Sequence, residues 1–169
     1  MLRYMTAGES HGKALVVIVD GIPSGLRLDG EAETFIRDEM SRRMHGYGRG
    51  GRMKIEDDGS CLEILSGLRR GLSIGSPISM VIMNRDHKIE ELPDVLSPRP
   101  RHADLAGVQK YGFKDARSVL ERASARETAM RVAAGAVAKL FLREFGIEIL
   151  SHVVSIGGIK AGIAGSTVE

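Results

Sequence analysis

The sequence has one cysteine, no tryptophan, and only three tyrosines and four phenylalanines among 169 residues. The lone Cys61 excludes an internal disulfide and a multi-cysteine zinc site. The shortage of aromatics, with a net charge of only +2, leaves neither the stacking platform nor the basic excess of a usual nucleic-acid binder. No apolar run approaches the roughly 18 residues of a transmembrane helix. Polar Thr6, Glu9, Ser10 and His11 arrive too early for an apolar signal region. These absences predict a soluble, cytoplasmic chain with no membrane partner. Apolar residues at 43% and charged ones at 27% are ordinary globular values. At this length a single domain over residues 1–169 is expected, able to hide about two-thirds of its unfolded surface.

What is abundant is arginine and glycine. The 24 basic residues are 17 arginines and 7 lysines, and there are 21 glycines. Arginine offers a planar fork that grips carboxylate and phosphate, so this balance points to small anionic ligands.

Residues 2–6 and 14–20 read as strands, the second apolar enough to be buried on both faces. A helix is predicted from Asp29 to about Met44, with Ala32, Phe35, Ile36, Met40 and Met44 on one face and its charges ordered to suit the helix dipole. A glycine loop over 46–52 is followed by predicted strands near 53–57, 60–65 and 77–84. Residues 85–103, with three prolines, read as a long surface excursion. Asp104 is placed to cap a short helix at 105–111. A long helix is predicted from Ser124 to Phe145, opened by a capping box of Ser124 and Glu127 and stopped by Gly146. Gly135 costs about 1 kcal/mol inside it, which predicts close packing against another backbone. A strand is expected at 147–156. Runs of strands around long helices indicate α+β.

Four clusters carry chemistry. Gly8-Glu9-Ser10-His11-Gly12 matches the G-x-S-x-G of a hydrolase nucleophile elbow, but a short strand before it and a β-branched run after it are the wrong setting. It is also one residue short of a phosphate loop. A serine, a histidine and mobile backbone units could still gather donors around an anion, or form a simple polar turn. Arg42, Arg43, Arg49 and Arg52 come next; Arg42 suits a helix C-terminus, whereas Arg49 and Arg52 alternate with glycines that let a ligand approach. Arg122-Ala123-Ser124-Ala125-Arg126 then puts cations at a capped helix N-terminus, where they oppose the dipole unless an anion completes the site. Arg99-Pro100-Arg101-His102-Ala103-Asp104 adds a histidine among cations. His45, His87 and His152 fit no metal motif, and no metal is expected. A non-catalytic anion- or RNA-binding module stands as the alternative to an enzyme.

Taken in order, TAGESHG (6–12), GYGRGGRMKIE (46–56), RPRHAD (99–104), KYG (110–112) and LERASARETAMRVAAGAVA (120–138) resemble the chorismate synthase family. The resemblance implies a lyase of the shikimate pathway, in aromatic amino acid biosynthesis. It would convert 5-enolpyruvylshikimate 3-phosphate to chorismate by 1,4-anti elimination of phosphate and a C6 hydrogen, with reduced FMN required and not consumed. It also implies a β-α-β sandwich of antiparallel sheets around central helices, and a homotetramer. By the same resemblance His11 matches a histidine placed to protonate the leaving phosphate, and His102 one placed near the flavin ring. Ser10, Arg43, Arg49, Arg52, Arg99, Ala125 and Arg126 match substrate-binding positions. Arg122, Ala123 and Ser124 match a flavin-binding segment, while Arg43 and Arg49 also match the NADPH positions of bifunctional members. Two departures are visible. Arg101 stands where the family usually has glycine, and family members run to about twice this length. The match is therefore to an N-terminal portion, and the rest of the flavin site, including a carboxylate near the reactive flavin nitrogen, is expected from the other half.

Overall fold

The computed structural model describes residues 1–45 and 62–162. Strand β1 (Arg3–Ala7) pairs antiparallel with β2 (Ala14–Asp20), from Arg3 opposite Asp20 to Ala7 opposite Val16. Helix α1 spans Glu31–Arg42, and β3 spans Leu62–Ile64. A small hairpin, β4 (Leu68–Arg69) and β5 (Leu72–Ser73), turns through Arg70 and Gly71, both at positive φ. Strand β6 (Ile78–Met83) lies between β2 and β3, giving a four-stranded antiparallel order β1-β2-β6-β3.

Alternation decides which side chains are buried. Leu15, Val17 and Val19 of β2 and Ile78, Met80 and Ile82 of β6 point to one face. There they meet Ile36 and Met40 of α1 and Met130 and Val137 of α4 (Thr128–Arg143). Each such fully buried side chain contributes roughly 1.5–3 kcal/mol. Ala129, Ala133 and Ala136 are also fully buried, so α4 approaches the sheet and α1 closely.

Two short helices follow the excursion: α2 (Asp104–Tyr111) and α3 (Arg117–Arg122). They cross at Gly107, where a Cβ would lie 2.3 Å from Val119 Cγ1. The excursion is tied down, not loose. His11 O accepts from the N–H groups of Lys88 and Ile89 at 3.0 and 3.1 Å, and Val95 is bonded to Asp115 and Ala116.

The structure departs from the sequence reading in four places. The helix predicted from Ser124 starts as a 3-10 turn, Ala125–Glu127, and becomes α-helical only at Thr128. Ser124 Oγ accepts from the Arg126 N–H, but Glu127 turns to arginines instead of closing the capping box. Asp104 starts α2 without capping it, because its carboxylate is bound to Arg99 and His102. Gly135 is exposed with no atom within 4 Å of an added Cβ, so no backbone packs there. Residues 147–154 form no strand; only an exposed hairpin of β7 (Ser155–Ile156) and β8 (Ile159–Lys160) forms, because Ile147, Ile149 and Leu150 face solvent and pair with no described sheet edge. The strand predicted at 53–57, and Arg49, Arg52 and Cys61, lie outside the described residues. No helix among the described residues is long and apolar enough to cross a membrane.

Candidate active site

The turn between β1 and β2 carries Ser10 and His11. Gly8 opens it at φ +121, and a Cβ there would lie 2.6 Å from Ala14 O, so only glycine fits. The turn is held from below by the side chain of Asn84, just past β6. Its Nδ2 donates to Ser10 O at 2.9 Å and to Gly12 O at 2.8 Å. Its Oδ1 accepts from Arg126 at 3.1 Å, and Arg126 also donates to Ser10 O. Ser10, Asn84 and Arg126 are all buried.

His11 sits between two carboxylates. Glu121 of α3, fully buried, accepts from the His11 backbone N–H at 2.8 Å and lies 2.9 and 3.0 Å from Nδ1 through its two oxygens. On the other side Asp86 Oδ2 is 3.5 Å from Nε2. The Lys88 ammonium beside Asp86, at 2.7 Å, outweighs burial and, with the charges of His11 and Arg126, holds that carboxyl below its ordinary value.

The segment 122–126 meets this turn from above. Arg122 donates to Thr6 O at 3.2 Å and faces Glu127 at 3.3 Å. Burial pushes the Glu127 carboxyl up, but the Thr6 hydroxyl and the Arg122 and Arg131 guanidiniums win and hold it below its ordinary value. Arg43, past the end of α1, donates to Ala125 O at 3.1 Å and to Thr128 Oγ1 at 3.3 Å. The anion expected to balance these cations is thus partly supplied by the protein, through Glu127, Asp86 and main-chain carbonyls.

A second cluster stands at the start of α2. Arg99 grips Asp104 with its backbone N–H, its Nε at 2.8 Å and its Nη2 at 3.1 Å, and Asp104 is fully buried. This guanidinium, with the His102 ring, holds the Asp104 carboxyl well below the carboxylate range, while Asp104 pushes the Arg99 guanidinium up. His102 Nδ1 lies 2.5 Å from Asp104 Oδ1. Arg101, between them, adopts φ +60, the left-handed conformation that glycine takes without cost. The loop therefore keeps the angles expected of glycine. Glu121 also acts on Arg99 through its charge, which links the two clusters.

Between α2 and α3 lies an open, largely apolar cavity of about 480 Å³. Ala103, Gly107, Tyr111, Phe113, Arg122 and Ala123 are among its walls, and Lys110 stands at it as well. The size is that of a cofactor or small-ligand site. Arg122 and Ala123 line it, but Ser124 does not.

The structure thus brings together Ser10, His11, Arg126, Ala125 and Arg43, and sets Arg99 and His102 beside them. Glu121, Asn84 and Asp86 were missed in the sequence reading. Nothing in their spacing marks them: each matters through a partner far along the chain, as in the separations of 110 between His11 and Glu121 and 42 between Asn84 and Arg126, and in the approach of Asp86 to His11. Among the described residues, no group of three or more His, Cys, Asp or Glu could hold a metal ion.

A family model described as chorismate synthase matches residues 2–169. Chorismate synthase of Carboxydothermus hydrogenoformans is 53% identical over 100% of this chain and 46% of its own length. That of Chlorobium chlorochromatii is 57% identical over 95% of this chain and 42% of its own. A crystal structure of chorismate synthase superposes with a TM-score of 0.73 at 48% identity, covering 95% of this chain and 39% of the solved one. The mixed helices and antiparallel sheets are those of that structure in part, since the chain spans less than half the length of the relatives it matches.

Proposed function

The chain belongs to the chorismate synthase family, and we propose that it forms the N-terminal portion of a cytoplasmic, homotetrameric enzyme converting 5-enolpyruvylshikimate 3-phosphate to chorismate. The observation that carries this reading is the joining of the Ser10–His11 turn to the 121–126 segment through Glu121, Asn84 and Arg126.

The substrate carries two carboxylates and a phosphate. Arg43, Arg99 and Arg126, with Arg49 and Arg52, would bind these groups, and Ser10 and Ala125 would line their site. The elimination breaks the C3–O bond to phosphate and the C6–H bond, the C1=C2 double bond is replaced by C2=C3 and C1=C6 for a net gain of one C=C, and the departing phosphate takes a proton. His11 would hold that proton on the nitrogen away from Glu121. A positioned general acid contributes typically ~100- to 10,000-fold. The absence of a strong basic excess, and the pairing of Arg122, Arg126 and Arg131 with protein carboxylates, speaks for a small anionic ligand over RNA.

The cavity between α2 and α3 fits FMN in kind: apolar walls with Tyr111 and Phe113 for a flat ring, and Arg122 and Lys110 at hand for a phosphate. The chemistry that reduced FMN would supply when bound is transient electron donation. Arg122, Ala123 and Ser124 would hold it, with His102 beside the ring and NADPH reaching Arg43 and Arg49 in a self-reducing member.

Anaerobic titration of the chain with FMN, with and without 5-enolpyruvylshikimate 3-phosphate, tests the reading. Flavin absorbance should shift on binding, and Arg122→Met should weaken binding about tenfold, the loss of about 1.4 kcal/mol. A folded chain that leaves FMN unperturbed would mark this portion as an incomplete enzyme that needs the other half to hold flavin, with its family membership intact. Full turnover in both His11→Ala and His102→Ala would overturn the acid roles.

A further inference from the structure

Glu121 is an expensive residue to bury. Its side chain has no exposure, and removing a carboxylate from water costs several kcal/mol unless partners compensate. Its close partners are both on His11: the backbone N–H at 2.8 Å and Nδ1 at 2.9 Å. Arg117, one turn earlier in α3, is more distant at 3.5 Å. Packing of α3 alone would be served as well by an apolar side chain at that position, since Val119 already carries its apolar contact with α2. The expense therefore belongs to His11.

We propose that Glu121 is the positioning residue of His11. Its carboxylate accepts the Nδ1 proton and the backbone N–H together, which fixes both the ring's orientation and its neutral tautomer. The exchangeable proton is then confined to Nε2, on the side of Asp86. A carboxylate bound to one ring nitrogen sets which nitrogen carries a mobile proton, by the logic that orients histidines in triads and metal sites. The groups facing the ring are Glu121 and Arg117 from α3, Asp86 and Lys88 from the segment after β6, and Arg126 from the turn before α4. Asp86 is the weaker rival for a ring proton because it lies 3.5 Å from Nε2 and is already bonded to Lys88. The inference bears on the acid role proposed above and rests on that reading for its use in turnover, but the tautomer itself does not.

Long-range proton–nitrogen correlation spectra of the nitrogen-15-labelled chain read the tautomer directly. The signals of His11 among the five histidines are assigned by their loss in His11→Gln. On the alkaline side of the ring's titration, the expected pattern is a protonated Nδ1 and a bare Nε2. A protonated Nε2, or averaged nitrogens, would overturn the proposal. In Glu121→Met, a near-isosteric change without an acceptor, the single tautomer should give way to averaging; an unchanged Nδ1–H pattern would also overturn it. Should that variant fail to fold, the wild-type spectrum still decides. FMN titration separates the two readings. A chain that binds no flavin yet shows the Nδ1–H tautomer keeps Glu121 and loses flavin binding by this portion alone, and one that binds flavin with the other tautomer keeps the flavin site and loses Glu121.

Discussion

Single residues decide how the second cluster is built, and Arg101 is the plainest case. It holds φ +60, which costs a non-glycine residue about 1–2 kcal/mol. Glycine there would escape that strain but lose more freedom on folding, about 0.5–1 kcal/mol. Arg101→Gly should therefore stabilise the chain by about 0.5–1 kcal/mol, read from the urea midpoint at unchanged slope; a loss of stability would show that the guanidinium makes a contact worth more than the strain. Asp104 gives a pH prediction. Its carboxyl is held well below the ordinary carboxylate value by Arg99 first, and by His102. A depressed folded pKa means stability that is fully present above the unfolded value, about 4, and lost as pH falls below it toward the folded one. Arg99 is half-exposed, so the charge-assisted bonds lost in Asp104→Asn are worth about 1–3 kcal/mol at neutral pH. That deficit should shrink steadily in denaturation curves taken from pH 5 toward pH 2. A deficit that stayed constant would mean that shape, not charge, holds the loop.

At the scale of elements, two glycines make opposite predictions. Gly107 lies where α2 crosses α3, and an added Cβ would overlap both Val119 methyls, at 2.3 and 2.7 Å. Val119 is β-branched and largely buried, so it has little room to turn. Gly107→Ala should cost about 1–3 kcal/mol and spread the walls of the apolar cavity. Gly135, on the outer face of α4, meets nothing, and Gly135→Ala should gain up to about 1 kcal/mol. Thermal unfolding of both variants checks the pair, and a destabilised Gly135→Ala would mean that something covers that face in solution. The same helix shows the limits of sequence reading. Its interior of alanines and its stop near Gly146, with φ +68, were legible because periodicity and termination are local, whereas its start was not, since Ser124 caps only the 3-10 turn Ala125–Glu127 and the α-helix begins at Thr128. The reason for Gly135 was not, because a glycine's surroundings are set by whatever lies across from it. Likewise β1, β2 and β6 were legible from apolar runs, whereas 147–154 carries the same kind of residues without a sheet edge to receive them.

For the whole molecule, stability is concentrated where contacts are long-range. The order β1-β2-β6-β3 places β2 and β6 at the centre of the sheet, although some sixty residues separate them. That pairing also carries Asn84 to the Ser10–His11 turn, which is why the site's arginines and histidines could be named from the sequence while the residues that aim them could not. By contrast β7 and β8 have two residues each, all exposed, and touch the rest of the fold little. Amide protection follows buried contacts and internal hydrogen bonds, spanning from near zero in frayed segments to the global unfolding free energy in a core. Hydrogen exchange should therefore rank β2 and β6 amides slowest, with opening free energies approaching the global value of about 5–15 kcal/mol. Amides of 155–160 should exchange within a few fold of unstructured rates. The 8–13 turn should fall between them, because three of its backbone groups are held by Glu121 and Asn84 side chains. Rapid exchange at His11 would contradict the buried Glu121 bond, and strong protection across 155–160 would require a surface that covers the hairpin.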